Sequence, residues 1–334
     1  MNFLKINLLN IIRHIDDIDD FHNLCIINKE IFNTCKYYSN IICKYFLEKF
    51  KVSYTHDRDF IYVMNYVNKE DYIDKDGYAD YKKIYLLYYN FYNCTGINCS
   101  NKNIVSIPKY PKLENLNCSK NRLTRLPYYP SLTMLNCYDN NIEYIPSYPL
   151  LEKLDCVRNR LKVIKEYPKL TFLNCSNNHT VYKLQEYPEL RFLNCKDNTI
   201  KCLPNYPKLE WLNCQNNRIV FLQYYPTIEW LNCKDNRISF FQTYPKLAFL
   251  NCMSNFATTL PEYPSLSFLD CRENPLQALP CYPELKILKY TRNQPSYLPY
   301  YPKLKDINGI LFDYFHYYSE SEIENEYAYS NSFW

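Results

Sequence analysis

Apolar and polar positions recur with a fixed spacing along the middle of the chain. The dipeptide Tyr-Pro occurs eleven times between Tyr110 and Tyr301, and the step is 19 residues except for one step of 20 between Tyr167 and Tyr187. Each unit reads roughly Tyr-Pro-x-Leu-x-x-Leu-Asn-Cys-x-x-Asn-x-Leu-x-x-Leu-Pro-x. A period of this length indicates a solenoid of stacked units. One unit has too few apolar side chains to fold alone, so each must pack against its neighbours.

The repeat resembles the leucine-rich repeat (LRR) family. The segment Leu113-Glu-Asn-Leu-Asn-Cys-Ser-Lys-Asn-Arg-Leu123 matches the family pattern L-x-x-L-x-L-x-x-N-x-L, with Cys in place of the third Leu. The flanking run from Leu126 to Pro130 is similar to the short repeats of certain bacterial effector proteins. The resemblance implies parallel strands in a right-handed horseshoe, with an extended, polyproline-like convex side instead of helices. Proline favours such a segment because it fixes φ and removes a hydrogen-bond donor.

The prolines mark the extent of the repeats, since all 20 lie between Pro108 and Pro302. Before them, apolar residues recur at helical spacing. We therefore predict an α+β chain with a helical domain at residues 1–92 and an LRR solenoid of about eleven units at residues 93–308. Residues 309–334 are predicted to form a C-terminal cap and an acidic tail.

Part of the helical region resembles an F-box, the module that docks on the Skp-type adaptor of SCF ubiquitin ligases. The stretch Asp20-Phe-His-Asn-Leu-Cys-Ile-Ile-Asn-Lys-Glu-Ile31 is similar to the family's D-L-x-x-L-x-x-V-C/N-K-x-W/F segment. The resemblance implies that Phe21, Leu24 and Ile27 contact the adaptor. The alternative is that these helices only cap the open N-terminal end of the solenoid, since the apolar edge of the first repeat must be covered.

The strand of each repeat predicts a surface column of side chains. Alternate residues of a strand point to opposite faces, so the Leu and Cys of Leu-Asn-Cys point inward and the residue before that Leu points to the concave face. In six consecutive units this residue is aromatic: Phe172, Phe192, Trp211, Trp230, Phe249 and Phe268. We predict a partly exposed patch that binds a target protein. The alternative is a ring ladder that stiffens the array.

Charged residues lie beside the aromatic column and are expected to contribute to specificity. They are Arg191, Glu210, Glu229, Lys196 and Lys234.

Two further columns are predicted to be structural. Ten of the 16 cysteines occupy the inward strand position, from Cys99 to Cys271, and are expected to be buried, reduced thiols in a cytosolic protein. A column of asparagines from Asn121 to Asn293 falls at the turn after each strand. There asparagine can satisfy backbone groups that have no partner in the sheet.

Several function classes are disfavoured. The net charge is +4 without a block of basic residues, which argues against nucleic-acid binding. No apolar run approaches the length of a membrane span. The five histidines are scattered, so we predict no enzyme activity, no metal site and no cofactor. The abundance of Tyr, Asn, Ile and Lys suggests AT-rich coding DNA, such as that of a large DNA virus. The sequence therefore predicts a cytoplasmic protein–protein interaction scaffold.

Overall fold

The computed structural model describes residues 93–291 and 298–311. The chain divides into two compact units, the first comprising Met1–Leu161 with Lys165–Lys169, and the second Lys162–Ile164 with Leu170–Trp334. The predicted helical domain and the acidic tail lie outside the described residues. The predicted domain bounds and the horseshoe curvature stay predictions.

The first unit contains four short parallel strands. They are β1 (Gly96–Asn98), β2 (Asn115–Asn117), β3 (Met134–Asn136) and β4 (Lys153–Asp155). Each strand residue lies opposite its equivalent in the next repeat, so that Asn115 pairs with Met134 and Met134 with Lys153. The register therefore equals the repeat period.

The second unit continues the same pattern. Its strands are β5 (Phe172–Asn174), β6 (Phe192–Asn194), β7 (Trp211–Asn213), β8 (Trp230–Asn232), β9 (Phe249–Asn251), β10 (Phe268–Asp270), β11 (Ile287–Lys289), β12 (Asp306–Ile307) and β13 (Ile310–Leu311). Strands β5 to β12 pair in parallel, and each residue lies opposite the equivalent residue of the next repeat. Strand β13 pairs antiparallel with β12. The reversal uses Asn308 and Gly309, both with positive φ, and the Gly309 N–H donates to the Asp306 carboxylate at 2.7 Å.

The segments that link successive strands contain no helix within residues 93–291 and 298–311. This confirms the prediction that the linkers are not helical. It also means that the helical part of the predicted α+β class falls entirely on the region outside the described residues.

The inward side chains of each repeat form the core. In the repeat that contains β7, Leu209, Leu212 and Cys214 are fully buried. Nine of the ten core cysteines, from Cys118 to Cys271, are buried as predicted, whereas Cys99 is partly exposed. Cys99 follows β1, which is the first strand of the described residues and pairs only with β2 among them. Free thiols at these positions behave as small apolar side chains.

The asparagine column satisfies backbone groups at the turns, as predicted, and it also bridges neighbouring repeats. The Asn217 side-chain amide donates to the carbonyl oxygens of Cys195 and Cys214, at 3.0 and 3.1 Å. Its Oδ1 accepts the Ile200 N–H at 3.0 Å. Without Asn217 the buried Ile200 N–H would lack a partner, which is costly, whereas the two carbonyls also accept from Asn198 and Asn236.

The unit with the 20-residue step interrupts this pattern. It has one residue more between Asn178 and Val181 than the regular unit has between Asn217 and Ile219. The insertion includes His179, which has a positive φ. In the next repeat, the buried Asn198 Oδ1 has no hydrogen-bond partner.

The Tyr-Pro tyrosines from Tyr129 to Tyr301 lie in the core, whereas Tyr110 is partly buried. In the second unit the rings of Tyr206, Tyr225 and Tyr244 are fully buried and stack with centroids 6.3 Å apart. The Tyr225 hydroxyl donates to the Pro204 carbonyl of the preceding repeat at 3.3 Å. We infer that the ring fills the space between linker and sheet and that its hydrogen bond connects it to the preceding repeat.

Candidate functional site

The first residues of strands β5 to β10 form a continuous stack of rings, which we call the aromatic stack. Its members are Phe172, Phe192, Trp211, Trp230, Phe249 and Phe268. Successive ring centroids lie 4.5, 4.1, 4.3, 4.8 and 4.4 Å apart, and no interplanar angle exceeds 9°. The parallel register produces this geometry because it places equivalent side chains side by side on adjacent strands.

The rings are more buried than the sequence analysis predicts. Trp211 is 5% exposed and Trp230 only 1%, and Phe192, Phe249 and Phe268 are also buried. Phe172 and Ile287 pack against the two ends of the cluster and are partly buried. The expectation of partly exposed rings is therefore wrong for five of the six positions. Each ring covers the faces of its neighbours. The strand pattern of a single repeat does not predict this burial, because it depends on rings from adjacent repeats.

The two tryptophans carry an unsatisfied donor each. The indole Nε1 atoms of Trp211 and Trp230 are buried and have no hydrogen-bond partner. A buried polar group without a partner costs about 1–3 kcal/mol. Such groups are rare in native proteins and call for an explanation. The sequence shows that tryptophan occurs here, but not that its N–H would be left unpaired.

A column of asparagine and aspartate lies beside the aromatic stack, at the third position of each strand. The Asn213 Oδ1 accepts the Gln215 N–H at 3.1 Å, and equivalent bonds recur along the column. Asn213, Asn232 and Asn251 are buried. Their bonds fix the turn that follows each strand, which is a local role typical of asparagine.

Two members of this column are acidic and differ in their surroundings. Asp270 is fully buried and pairs with Arg272, whose Nε donates at 2.9 Å and whose terminal nitrogen lies 2.5 Å from the carboxylate. Asp155, in the first unit, accepts the Val157 N–H at 3.2 Å, and no ion pair of Asp155 lies within the described ranges. Burial raises the pKa of Asp155 to about 6.

Charged side chains flank the aromatic stack on both sides. Arg191 and Glu210 form an exposed ion pair at 3.0 Å. Lys196, Lys234 and Glu229 make no ion pair with any residue in the described part of the chain. The floor of this face is thus apolar, and charges of both signs that make no ion pair among the described residues border it.

The remaining predictions concern the F-box-like residues, metal binding and membrane spans. Phe21, Leu24 and Ile27 lie outside the described residues. Within residues 93–291 and 298–311, no group of three or more His, Cys, Asp or Glu side chains is placed to hold a metal ion. No helix of these two ranges could cross a membrane.

No protein-family model matches the chain, and no curated protein matches it significantly. The solved structure of YopM from Yersinia enterocolitica is similar at 31% identity and a TM-score of 0.62, over 64% of this chain and 50% of YopM. The chain therefore covers only half of that protein.

Two further solved structures have the same fold. YopM from Yersinia pestis, a leucine-rich effector protein, matches at 24% identity and a TM-score of 0.52, over 64% of this chain and 76% of that one. An LRR protein of Leptospira interrogans matches at 22% identity and a TM-score of 0.56, over 72% of each chain. Together with the 19-residue repeat and the parallel strands, these similarities establish that the described part of the chain has the leucine-rich repeat fold.

Proposed function

We propose that the protein is an interaction scaffold that holds a target protein on the aromatic stack and its charged borders. The observation that carries the proposal is the pair of unpaired indole donors of Trp211 and Trp230. The neighbouring positions use phenylalanine, which stacks equally well without burying a donor. A ladder needed only for stability would gain nothing from the two indole N–H groups.

A bound target would give these donors a role. A carbonyl or carboxylate oxygen of the target that reaches Nε1 after a small ring displacement would remove the cost of the unpaired N–H groups. Tryptophan is also enriched among the residues that contribute most to binding energy at interfaces. The free ammonium groups of Lys196 and Lys234 favour a target with acidic side chains beside this contact.

The test uses target proteins identified by co-purification with the full chain from its native cell. The double variant Trp211→Phe with Trp230→Phe keeps the stack and removes both donors. We expect target affinity to fall by at least about tenfold, while urea unfolding checks that the variant stays folded. Unchanged affinity would show that the rings are only a structural ladder.

A pair of lysine variants separates the charged border from general charge effects. Lys234→Ser is expected to weaken the binding of the target. Lys201→Ser removes a charge from an exposed linker residue and serves as the matched control. Equal effects of the two variants would point to non-specific electrostatics.

We also propose that residues 1–92 link the bound target to a ubiquitin ligase through a Skp-type adaptor. What supports this is the F-box-like stretch from Asp20 to Ile31 alone. The test is a pull-down of a purified adaptor by the full chain and by the triple variant Phe21→Ala, Leu24→Ala and Ile27→Ala. Adaptor binding by the full chain that the variant loses supports the link. No binding by either favours an LRR scaffold whose N-terminal region only caps the solenoid.

A further inference from the structure

The linking segments of the second unit carry an exposed apolar patch away from the strands. It consists of Val220, Phe221, Phe240 and Phe256, together with Arg218 and Arg237, and we call it the linker patch. The four apolar side chains are between 48% and 61% exposed. All exposed phenylalanines of the described residues belong to this patch.

Backbone contacts place these residues side by side. Phe221 and Phe240 form a parallel bridge between neighbouring linkers. The Arg237 N–H donates to the Ile219 carbonyl, and the Phe256 N–H donates to the Ile238 carbonyl, each at 2.9 Å. The linkers of three successive repeats therefore run next to one another and present one continuous surface.

The composition of the linker patch indicates what covers it. A cluster of exposed aromatic side chains usually marks an interaction site. The guanidinium groups of Arg218 and Arg237 make no ion pair with any residue within the described ranges. The surface therefore matches a ligand that combines aromatic rings with carboxylates, because arginine binds carboxylates through paired hydrogen bonds.

We propose that the linker patch binds the C-terminal segment of the same chain, residues 320–334. This segment carries four glutamates at alternate positions, followed by Tyr327, Tyr329, Phe333 and Trp334. The glutamates are Glu320, Glu322, Glu324 and Glu326. The segment thus carries carboxylates that can pair with the two arginines and aromatic rings that can pack against the exposed phenylalanines.

The connection is long enough for this contact. Eight residues lie between Leu311, at the end of β13, and Glu320, and the nine residue steps from Leu311 to Glu320 can span about 30 Å when extended. Four strand steps from β9 to β13 amount to about 19 Å at the usual strand spacing. The segment can therefore return to the linkers that flank β8 and β9.

A photo-crosslinking experiment on the full chain tests the proposal. Benzoylphenylalanine replaces Phe333, and crosslinked peptides are identified by mass spectrometry. We expect an intramolecular crosslink to the region 218–256 at low salt. Phe221→Ser with Phe240→Ser should lower the docking equilibrium roughly tenfold or more, because two apolar contacts are lost.

Charge variants provide the matched control. Arg218→Glu with Arg237→Glu should weaken the crosslink, and adding Glu322→Lys with Glu324→Lys should restore it. Arg122→Glu with Arg160→Glu changes two exposed arginines at the equivalent repeat position of the first unit and should have no effect. Thermal melts confirm that each variant is folded, as expected for exposed positions.

Three results would overturn the proposal. The first is a crosslink that falls outside residues 218–256, or no crosslink at all. The second is a dimer-sized product that joins isotopically light and heavy chains, which would show that the patch pairs two copies. The third is a crosslink that survives both the phenylalanine and the arginine variants.

Discussion

Trp211 and Trp230 lie on neighbouring strands with their ring centroids 4.3 Å apart and their planes inclined by only 6°. This distance is shorter than the usual strand separation of about 4.7–4.9 Å, so the two indoles are in direct contact. Each has a further ring on its other side, Phe192 and Phe249 respectively. The pair therefore forms the centre of a second apolar cluster on the face of the sheet opposite the leucine and cysteine core.

The burial of this pair predicts a large effect on stability. Trp230→Ala should lower the free energy of unfolding by about 3–5 kcal/mol, as expected for the truncation of a buried aromatic side chain. Urea unfolding measures the difference. Phe172→Ala, at the less buried end of the aromatic stack, should cost clearly less. A loss below about 1 kcal/mol for Trp230→Ala would mean that the ring is exposed in solution.

The buried thiols predict a steep loss of stability at high pH. Burial raises the pKa of seven core cysteines: Cys118, Cys137, Cys195, Cys214, Cys233, Cys252 and Cys271. The stability that these buried, protonated thiols provide is fully present below the pKa of cysteine in the unfolded chain. Above about pH 9 the unfolded chain ionises first, so stability should fall by on the order of 10 kcal/mol per pH unit.

Circular dichroism between pH 7 and pH 11 measures this transition, and thiol labelling gives an independent check. At pH 8 the exposed Cys202 and Cys281 should react rapidly, whereas the buried column should react only after unfolding. A gradual alkaline transition, or native labelling of Cys214, would show that the column is accessible.

The buried Asp155 predicts a second pH dependence of stability, at mildly acidic pH. Its pKa is raised to about 6 by burial, from 3.8, so its stabilising protonated form is fully populated below about pH 4. The associated stability is lost as the pH rises through about 6. Asp155→Asn keeps the acceptor for the Val157 N–H, and should stabilise the protein by roughly 1–3 kcal/mol at pH 7.5.

Urea unfolding at pH 4 and pH 7.5 distinguishes this effect from a general one. The difference between Asp155→Asn and the parent should be present at pH 7.5 and should nearly vanish at pH 4. Asp139→Asn, at an exposed turn, is the control and should change little at either pH. Equal stabilisation at both values would contradict the assigned cause.

Arg272 predicts the outcome of breaking a buried ion pair. Arg272→Ala leaves the fully buried Asp270 carboxylate without its counter-charge, which should cost about 3–5 kcal/mol. Adding Asp270→Asn removes the buried charge and should recover most of that loss. Arg191→Ala breaks the exposed pair with Glu210 and should cost no more than about 1 kcal/mol. Similar losses for both arginines would mean that Asp270 is hydrated.

Asn217 predicts how strongly the repeats depend on side-chain bridges. Asn217→Ala removes the partner of the buried Ile200 N–H and one of the two asparagine donors to the Cys195 and Cys214 carbonyls. The orphaned N–H costs about 1–3 kcal/mol, so the variant should melt below the parent. Asn198→Ala should be milder because the Oδ1 of Asn198 has no partner to lose. A reversed order in thermal melts would contradict the bridging role.

Much of the fold follows from the repeat itself. The period of 19 residues sets the register, the alternation along each strand sends Cys214 inward and Trp211 outward, and the prolines exclude helices from the linkers. Asn217 has the predicted role because every buried strand end needs a partner for its backbone. These features depend on positions within one repeat and on its nearest neighbours, so they can be read from the order of residues.

Other properties arise only when the repeats are stacked. The burial of Trp211 and Trp230, their unpaired N–H groups and the exposure of Phe221 depend on side chains from adjacent repeats. The different charge environments of Asp155 and Asp270, by contrast, follow from the sequence, because Arg272 lies two residues after Asp270 and Val157 two residues after Asp155. The sequence by itself determined the strands, their register and their two faces. The tertiary structure decided which side chains remain accessible, because access depends on the distances between repeats and not on the pattern within one.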